Sequence, residues 1–144
     1  MKLRLNHIGF VVENISEYTK MFEAIGLNDI TDPVPNHLQK VSASFVNLFP
    51  AKDVHVEVLE STDENSPITN FLKKRGPGLH HLCFEVDDIE EARDRLLEKG
   101  FKLLVPPEPC EAYDLNFKRE CTVPTKAAFF MVGRLLVELF EKGR

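Results

Sequence analysis

Leu79-His80-His81-Leu82-Cys83-Phe84-Glu85-Val86 reads as a β-strand, and it repeats an earlier stretch, Leu5-Asn6-His7-Ile8-Gly9-Phe10-Val11-Val12. At a constant offset of 74, residues 5–27 and 79–101 are identical at seven places: Leu5/Leu79, His7/His81, Phe10/Phe84, Val12/Val86, Ile15/Ile89, Glu17/Glu91 and Gly26/Gly100. A second echo follows at an offset of 81, where Val56-Glu57-Val58-Leu59-Glu60 resembles Val137-Glu138-Leu139-Phe140-Glu141. The chain reads as one module used twice, each copy with a His near its start and a Glu near its end.

Local signals support the duplication. Residues 2–12 alternate as a strand does, with Ile8, Phe10 and Val12 on one face and Leu5, His7, Gly9 and Val11 on the other. Asn14 with Glu17, and Asp88 with Glu91, are spaced as capping boxes for the helices that follow. Gly26 and Gly100 are placed to end those helices in a left-handed turn. Three strand-like runs complete the first module, at about Asp29–Val34, Val41–Leu48 and Val54–Leu59, punctuated by Pro33, Pro35, Asn36 and Pro50. Ser66-Pro67 opens a connector helix with an apolar stripe of Ile68, Phe71 and Leu72, and Gly76-Pro77-Gly78 stops it. After the second helix come a strand near Phe101–Val105 and an irregular, proline-rich Pro106–Thr125 segment, expected to be a lid or binding loop. A hairpin of Lys126–Met131 and Leu135–Phe140 turns at Val132-Gly133-Arg134. The predicted fold class is α+β, built from two βαβββ modules. The predicted organisation is a single domain, 1–144, with module one at 1–60, the connector at 61–78 and module two at 79–144.

Bulk properties narrow the function. The 144 residues carry a net charge of −5, with 43% hydrophobic and 28% charged residues. That balance argues against nucleic acid or an anionic membrane as the main partner. The basic run Lys73-Lys74-Arg75 suits a helix C-terminus. No apolar run approaches the roughly 18 residues of a membrane span, and no signal peptide is visible. Three cysteines without C-x-x-C spacing fit reduced thiols, so a cytoplasmic location is expected.

Two modules related by a pseudo-two-fold would bring His7, Glu57, His81 and Glu138 toward one centre. Imidazole nitrogen and carboxylate oxygen suit a divalent transition ion. A lone strand His more often packs in a core, and a Glu at a strand end usually faces solvent, as Glu60 and Glu141 are read here. Recurrence of both residues in both copies is what favours a metal site. His80 is out of phase with His81 and belongs on the opposite face; His37 and His55 have no repeat partner and read as surface residues.

With these residues in hand, the sequence resembles the vicinal oxygen chelate superfamily of glyoxalase I, extradiol dioxygenases, bleomycin-resistance proteins and methylmalonyl-CoA epimerases. It is most similar to the epimerases. The resemblance rests on Asn6-His7-Ile8-Gly9, Val56-Glu57-Val58-Leu59-Glu60, Asn65-Ser66-Pro67-Ile68, Phe71-Leu72-Lys73-Lys74-Arg75-Gly76, Gly78-Leu79-His80-His81 and Leu136-Val137-Glu138-Leu139. It implies metal ligands at His7, Glu57, His81 and Glu138, the second commonly Gln in the epimerases and Glu in some glyoxalases. It also implies that the two modules form a curved mixed sheet around a central metal site, that the protein is a homodimer and that it takes a small-molecule substrate.

One departure is Leu38, which stands where the epimerases carry a further catalytic Glu. The leading expectation is a metal-dependent isomerase or epimerase that removes a proton next to a carbonyl, with Glu138 as base and Zn, Co, Ni or Mn as the ion. Alternatives are a glyoxalase I-like lyase acting on a glutathione hemithioacetal and a non-catalytic, resistance-type binding protein. Iron oxygenase chemistry typically uses two His and one carboxylate, so the extra carboxylate, Glu57, argues against it.

Overall fold

A computed structural model describes residues 1–37, 39–48 and 54–144. These residues contain eight strands and four helices. They divide into two compact units, one of His7–His80 and the other of Met1–Asn6 with His81–Arg144. The fold class is α+β, and each unit holds a mixed sheet.

In the His7–His80 unit the strand order is β2-β3-β4-β1: Val34–Asn36, Val41–Asn47, His55–Ser61 and the greater part of Leu3–Val11. β1 runs parallel to β4 with His7 opposite His55 and Gly9 opposite Glu57, while β3 runs antiparallel to β4 with Phe45 opposite Glu57. α1 (Ile15–Ala24) covers one face, where Ile15, Tyr18 and Phe22 pack with Val12, Val56 and Val58. α2 (Pro67–Arg75) covers part of the other, where Ile68, Phe71 and Leu72 pack on Val11, Val41, Ala43 and Leu59. Period-two alternation explains the division: Val58 serves α1 and its neighbour Leu59 serves α2.

The second unit repeats the plan. Its order is β5-β8-β7-β6, from Gly78–Val86, Leu135–Glu141, Lys126–Val132 and Lys102–Pro109. β5 runs parallel to β8 with Cys83 opposite Glu138, and β7 runs antiparallel to β8 with Phe129 opposite Glu138. α3 (Ile89–Glu98) covers one face through Ile89, Ala92 and Leu96 on Phe84, Val86, Ala128, Phe130 and Leu139. A fourth helix, α4 (Glu111–Asn116), lies between β6 and β7.

The helix ends are built alike. Gly26 and Gly100 have φ of +97° and +84°. The amides after them close the same pair of bonds: Gly26 N–H to Glu23 and Leu27 N–H to Phe22, then Gly100 N–H to Leu97 and Phe101 N–H to Leu96. This double closure satisfies carbonyls that the helix would otherwise leave unpaired. At the N-termini Asn14 accepts from Ser16 N–H and Asp88 from Glu91 N–H.

Several expectations need correction. Glu60 and Glu141 are not simply solvated: Glu60 accepts the Ile15 N–H at 2.8 Å and Glu141 the Ile89 N–H at 3.3 Å. Each adds a carboxylate at the positive end of a helix. The run Asp29–Val34 is not a full strand. Only an Ile30–Val46 bridge forms before β2 begins at Val34, as expected where Pro33 and Pro35 cannot donate to a ladder. Ser66 does not cap α2 with its side chain; its hydroxyl donates to the Gln39 carbonyl at 3.3 Å. β6 does not stop at Val105 but continues through Pro109, with register shifts against β7. His55 is half-buried, its ring edge-on to Phe45 at 6.3 Å. Leu38 and Pro50 lie outside the described residues.

Candidate metal centre

The repeated strand pairings determine where the candidate ligands fall. In the first unit Glu57 stands opposite Gly9, two residues along β1 from His7, so both side chains leave the same face of adjacent parallel strands. His7 Nε2 and Glu57 Oε1 are 3.5 Å apart, with the side chains 0% and 7% exposed. In the second unit Glu138 stands opposite Cys83, two residues from His81, and His81 Nε2 lies 4.0 Å from Glu138 Oε1. Those side chains are each 3% exposed. The structure thus brings His7 to Glu57 in one unit and His81 to Glu138 in the other. His80 points away from His81, onto the Phe71 ring at 5.2 Å, as the strand phase requires.

Two residues that the sequence reading passed over complete each pair. Phe45 on β3 stands opposite Glu57 and meets the His7 ring edge-on at 5.3 Å. Phe129 on β7 stands opposite Glu138 and meets the His81 ring edge-on at 6.4 Å. A bulky ring in this place limits imidazole rotation and keeps water out. No local pattern singles them out; their place opposite Glu57 and Glu138 does.

The donor chemistry suits a divalent ion. Neither His–Glu separation is a good N–H···O hydrogen bond, which centres near 2.9 Å. Ligand atoms held at roughly 2.1 Å from one ion lie about 3 to 4 Å from each other. Each pair falls in that range. Burying a carboxylate is costly, and each of these two stands beside an imidazole that a shared ion would also engage.

The proline-rich segment contributes a further contact. Tyr113 on α4 is buried, packs on the Phe140 ring at 5.4 Å and donates its hydroxyl hydrogen to Glu138 Oε1. The expectation of a lid there therefore gains a short helix and a phenol. Nearby, Cys121 is half-exposed, and partial desolvation followed by the Asp114 carboxylate pushes its thiol up, away from the nucleophilic thiolate.

With this geometry in view, the chain's lineage is plain. Residues 6–117 match the Glyoxalase/Bleomycin resistance protein/Dioxygenase superfamily, and the chain belongs to that superfamily. Within it, the chain is 34% identical over 104 residues to the mitochondrial methylmalonyl-CoA epimerase of Dictyostelium discoideum, covering 72% of this chain and 61% of that protein. It is 35% identical over 107 residues to the ethylmalonyl-CoA/methylmalonyl-CoA epimerase of Cereibacter sphaeroides, covering 74% and 78%. The crystal structure of methylmalonyl-CoA epimerase from Mycobacterium tuberculosis superposes with a TM-score of 0.80, at 23% identity, over 97% of this chain and 88% of that one. That likeness establishes the shared fold. No helix among the described residues is long and apolar enough to cross a membrane.

Proposed function

We propose that the protein is a metal-dependent epimerase of acyl thioesters, acting as one domain in which His7, Glu57, His81 and Glu138 hold a single divalent ion. The observation that carries this reading is the recurrence of a buried His–Glu pair at matching register in both units. The relatives named for ethylmalonyl-CoA and methylmalonyl-CoA support the substrate class. A homodimer is part of this reading. Three cysteines without a disulfide among the described residues favour a reducing compartment, and we assign the protein to the cytoplasm.

An ion held by His7, Glu57, His81 and Glu138 would supply Lewis acidity toward the thioester carbonyl oxygen and would offset the two carboxylate charges. The chain's own residues do the rest. His7 and His81 each present Nε2 from a strand of their own unit, backed by Phe45 and Phe129 respectively. Glu138, nearly excluded from water, takes the proton from the carbon next to the carbonyl, and a solvent-derived proton delivered to the opposite face of that carbon completes the inversion. Tyr113 directs a hydrogen bond at Glu138 and keeps that carboxylate from turning away.

The test is incubation of the protein with methylmalonyl-CoA in D2O, after loading with zinc, cobalt, nickel or manganese. Wild type should wash deuterium into the α-position, and Glu138→Gln should slow this by about 100- to 10,000-fold, the usual worth of a placed base. Unchanged exchange in the variant would sink Glu138 as base. No exchange by wild type with any ion would sink the epimerase reading.

Glu57 favours a second reading. A carboxylate at this position, where the epimerases that the sequence resembles commonly carry Gln, suits a glyoxalase I-like lyase. Isomerisation of a glutathione hemithioacetal, with no exchange of the acyl thioester, would decide for it.

A further inference from the structure

We propose that Tyr113 is a positioning residue for Glu138, held in place by a tether that joins α4 to the chain's last residues. This inference rests on the metal-centre reading above. Three observations carry it. The Tyr113 hydroxyl donates to Oε1 of Glu138, the same oxygen that lies 4.0 Å from His81 Nε2. A ligating carboxylate oxygen generally needs such an outer hydrogen bond to choose its orientation. The Tyr113 ring, buried against Phe140, has little freedom to swing the hydroxyl elsewhere.

The third observation concerns the helix itself. A six-residue helix has little stability of its own. Within it, the residue after Tyr113, Asp114, is buried, and Oδ2 accepts the Thr125 N–H at 2.9 Å while Oδ1 accepts the Thr125 hydroxyl at 2.7 Å. Arg119 Nη2 lies 3.2 Å from Asp114 Oδ1. Thr125 in turn accepts the Gly143 N–H at 2.9 Å, and Val123 and Arg144 exchange both backbone hydrogen bonds at 2.8 and 2.9 Å. A Cβ at Gly143 would stand 2.8 Å from the Thr125 nitrogen and the Val123 oxygen, so the tail sits flush against the segment after α4. Asp114 thus fixes the helix, and the helix fixes Tyr113.

The deciding experiment measures Co(II) binding by full-length wild type, Tyr113→Phe, Glu138→Gln and the double variant. Affinity is read by competition with a chromophoric chelator, and coordination by the visible spectrum. Phenylalanine keeps the ring and removes only the hydroxyl. Tyr113→Phe should bind Co(II) about 10- to 100-fold more weakly, with a shifted d–d band, while melting metal-free near the wild-type temperature. In the Glu138→Gln background the same change should cost nothing further, because the two act as a unit. A residue that merely supports the fold would weaken both backgrounds alike, which overturns the inference. Equal affinity and spectrum in wild type and Tyr113→Phe also overturn it, leaving the metal centre intact. No Co(II) bound by wild type removes the metal-centre reading and this inference together.

Discussion

The two units cover their site faces differently. In the first, α2 lays Ile68 over Leu59 and the cover is apolar. In the second, α4 lays Tyr113 over Phe140, the residue that matches Leu59 at the offset of 81, and turns a hydroxyl onto Glu138. The difference comes from one connection. β2 and β3 are joined by residues 37–40, too few for a helix, whereas residues 110–125 join β6 and β7. Duplication supplied two equivalent His–Glu pairs, and the longer connection gave one of them a polar neighbour. On the proposed mechanism the first pair holds the ion and the second also moves the proton.

The largest effect expected from that division is in the carboxylates. Glu57→Gln, which keeps a neutral oxygen donor, should retain deuterium exchange within about tenfold, against the 100-fold or greater loss for Glu138→Gln. Similar losses in the two would erase the distinction. The imidazoles should behave alike: on the proposed reading wild type carries about one divalent ion per chain by elemental analysis, and His7→Ala and His81→Ala should each lose it. An ion retained in either variant breaks the equivalence of the halves. Next in size are the aromatic backings. Phe45→Ala and Phe129→Ala should each cost about 3–5 kcal/mol in denaturant unfolding, with Phe45, 0% exposed against 8%, nearer the top of that range. The smallest effect belongs to the helix caps. Glu60→Gln and Glu141→Gln should each lower stability by about 0.5–1 kcal/mol, the shorter Glu60 contact costing more.

What the sequence disclosed follows from how local each signal is. The paired strands and the glycine stops are written in short-range patterns, and β1, β5 and the glycine-ended helices α1 and α3 appear as those patterns require, whereas Asp29–Val34 and β6 do not. Glu60 and Glu141 were misread because a carboxylate at a strand end meets a helix amide only after the strand is registered beside it. Phe45 and Phe129 were passed over for a related reason: they are unremarkable until antiparallel pairing sets them opposite Glu57 and Glu138. Tyr113 was hidden by the prolines around it, since Pro106, Pro107 and Pro109 suggested an irregular segment where β6 and α4 in fact form. Its contact with Glu138 joins positions 25 apart in sequence, beyond the reach of any local pattern.

One edge strand in each unit carries a consequence for solubility. β2 is three residues long with Pro35 at its centre, and β6 carries Pro106, Pro107 and Pro109 with its pairing to β7 shifted twice. A strand recruited from a neighbouring molecule needs a run of amide hydrogens to grip, and proline offers none. Both margins are therefore poor templates for runaway strand addition. Replacing these prolines with valine would give a neighbouring chain amides to pair with, turning two blunt margins into points where aggregation can start.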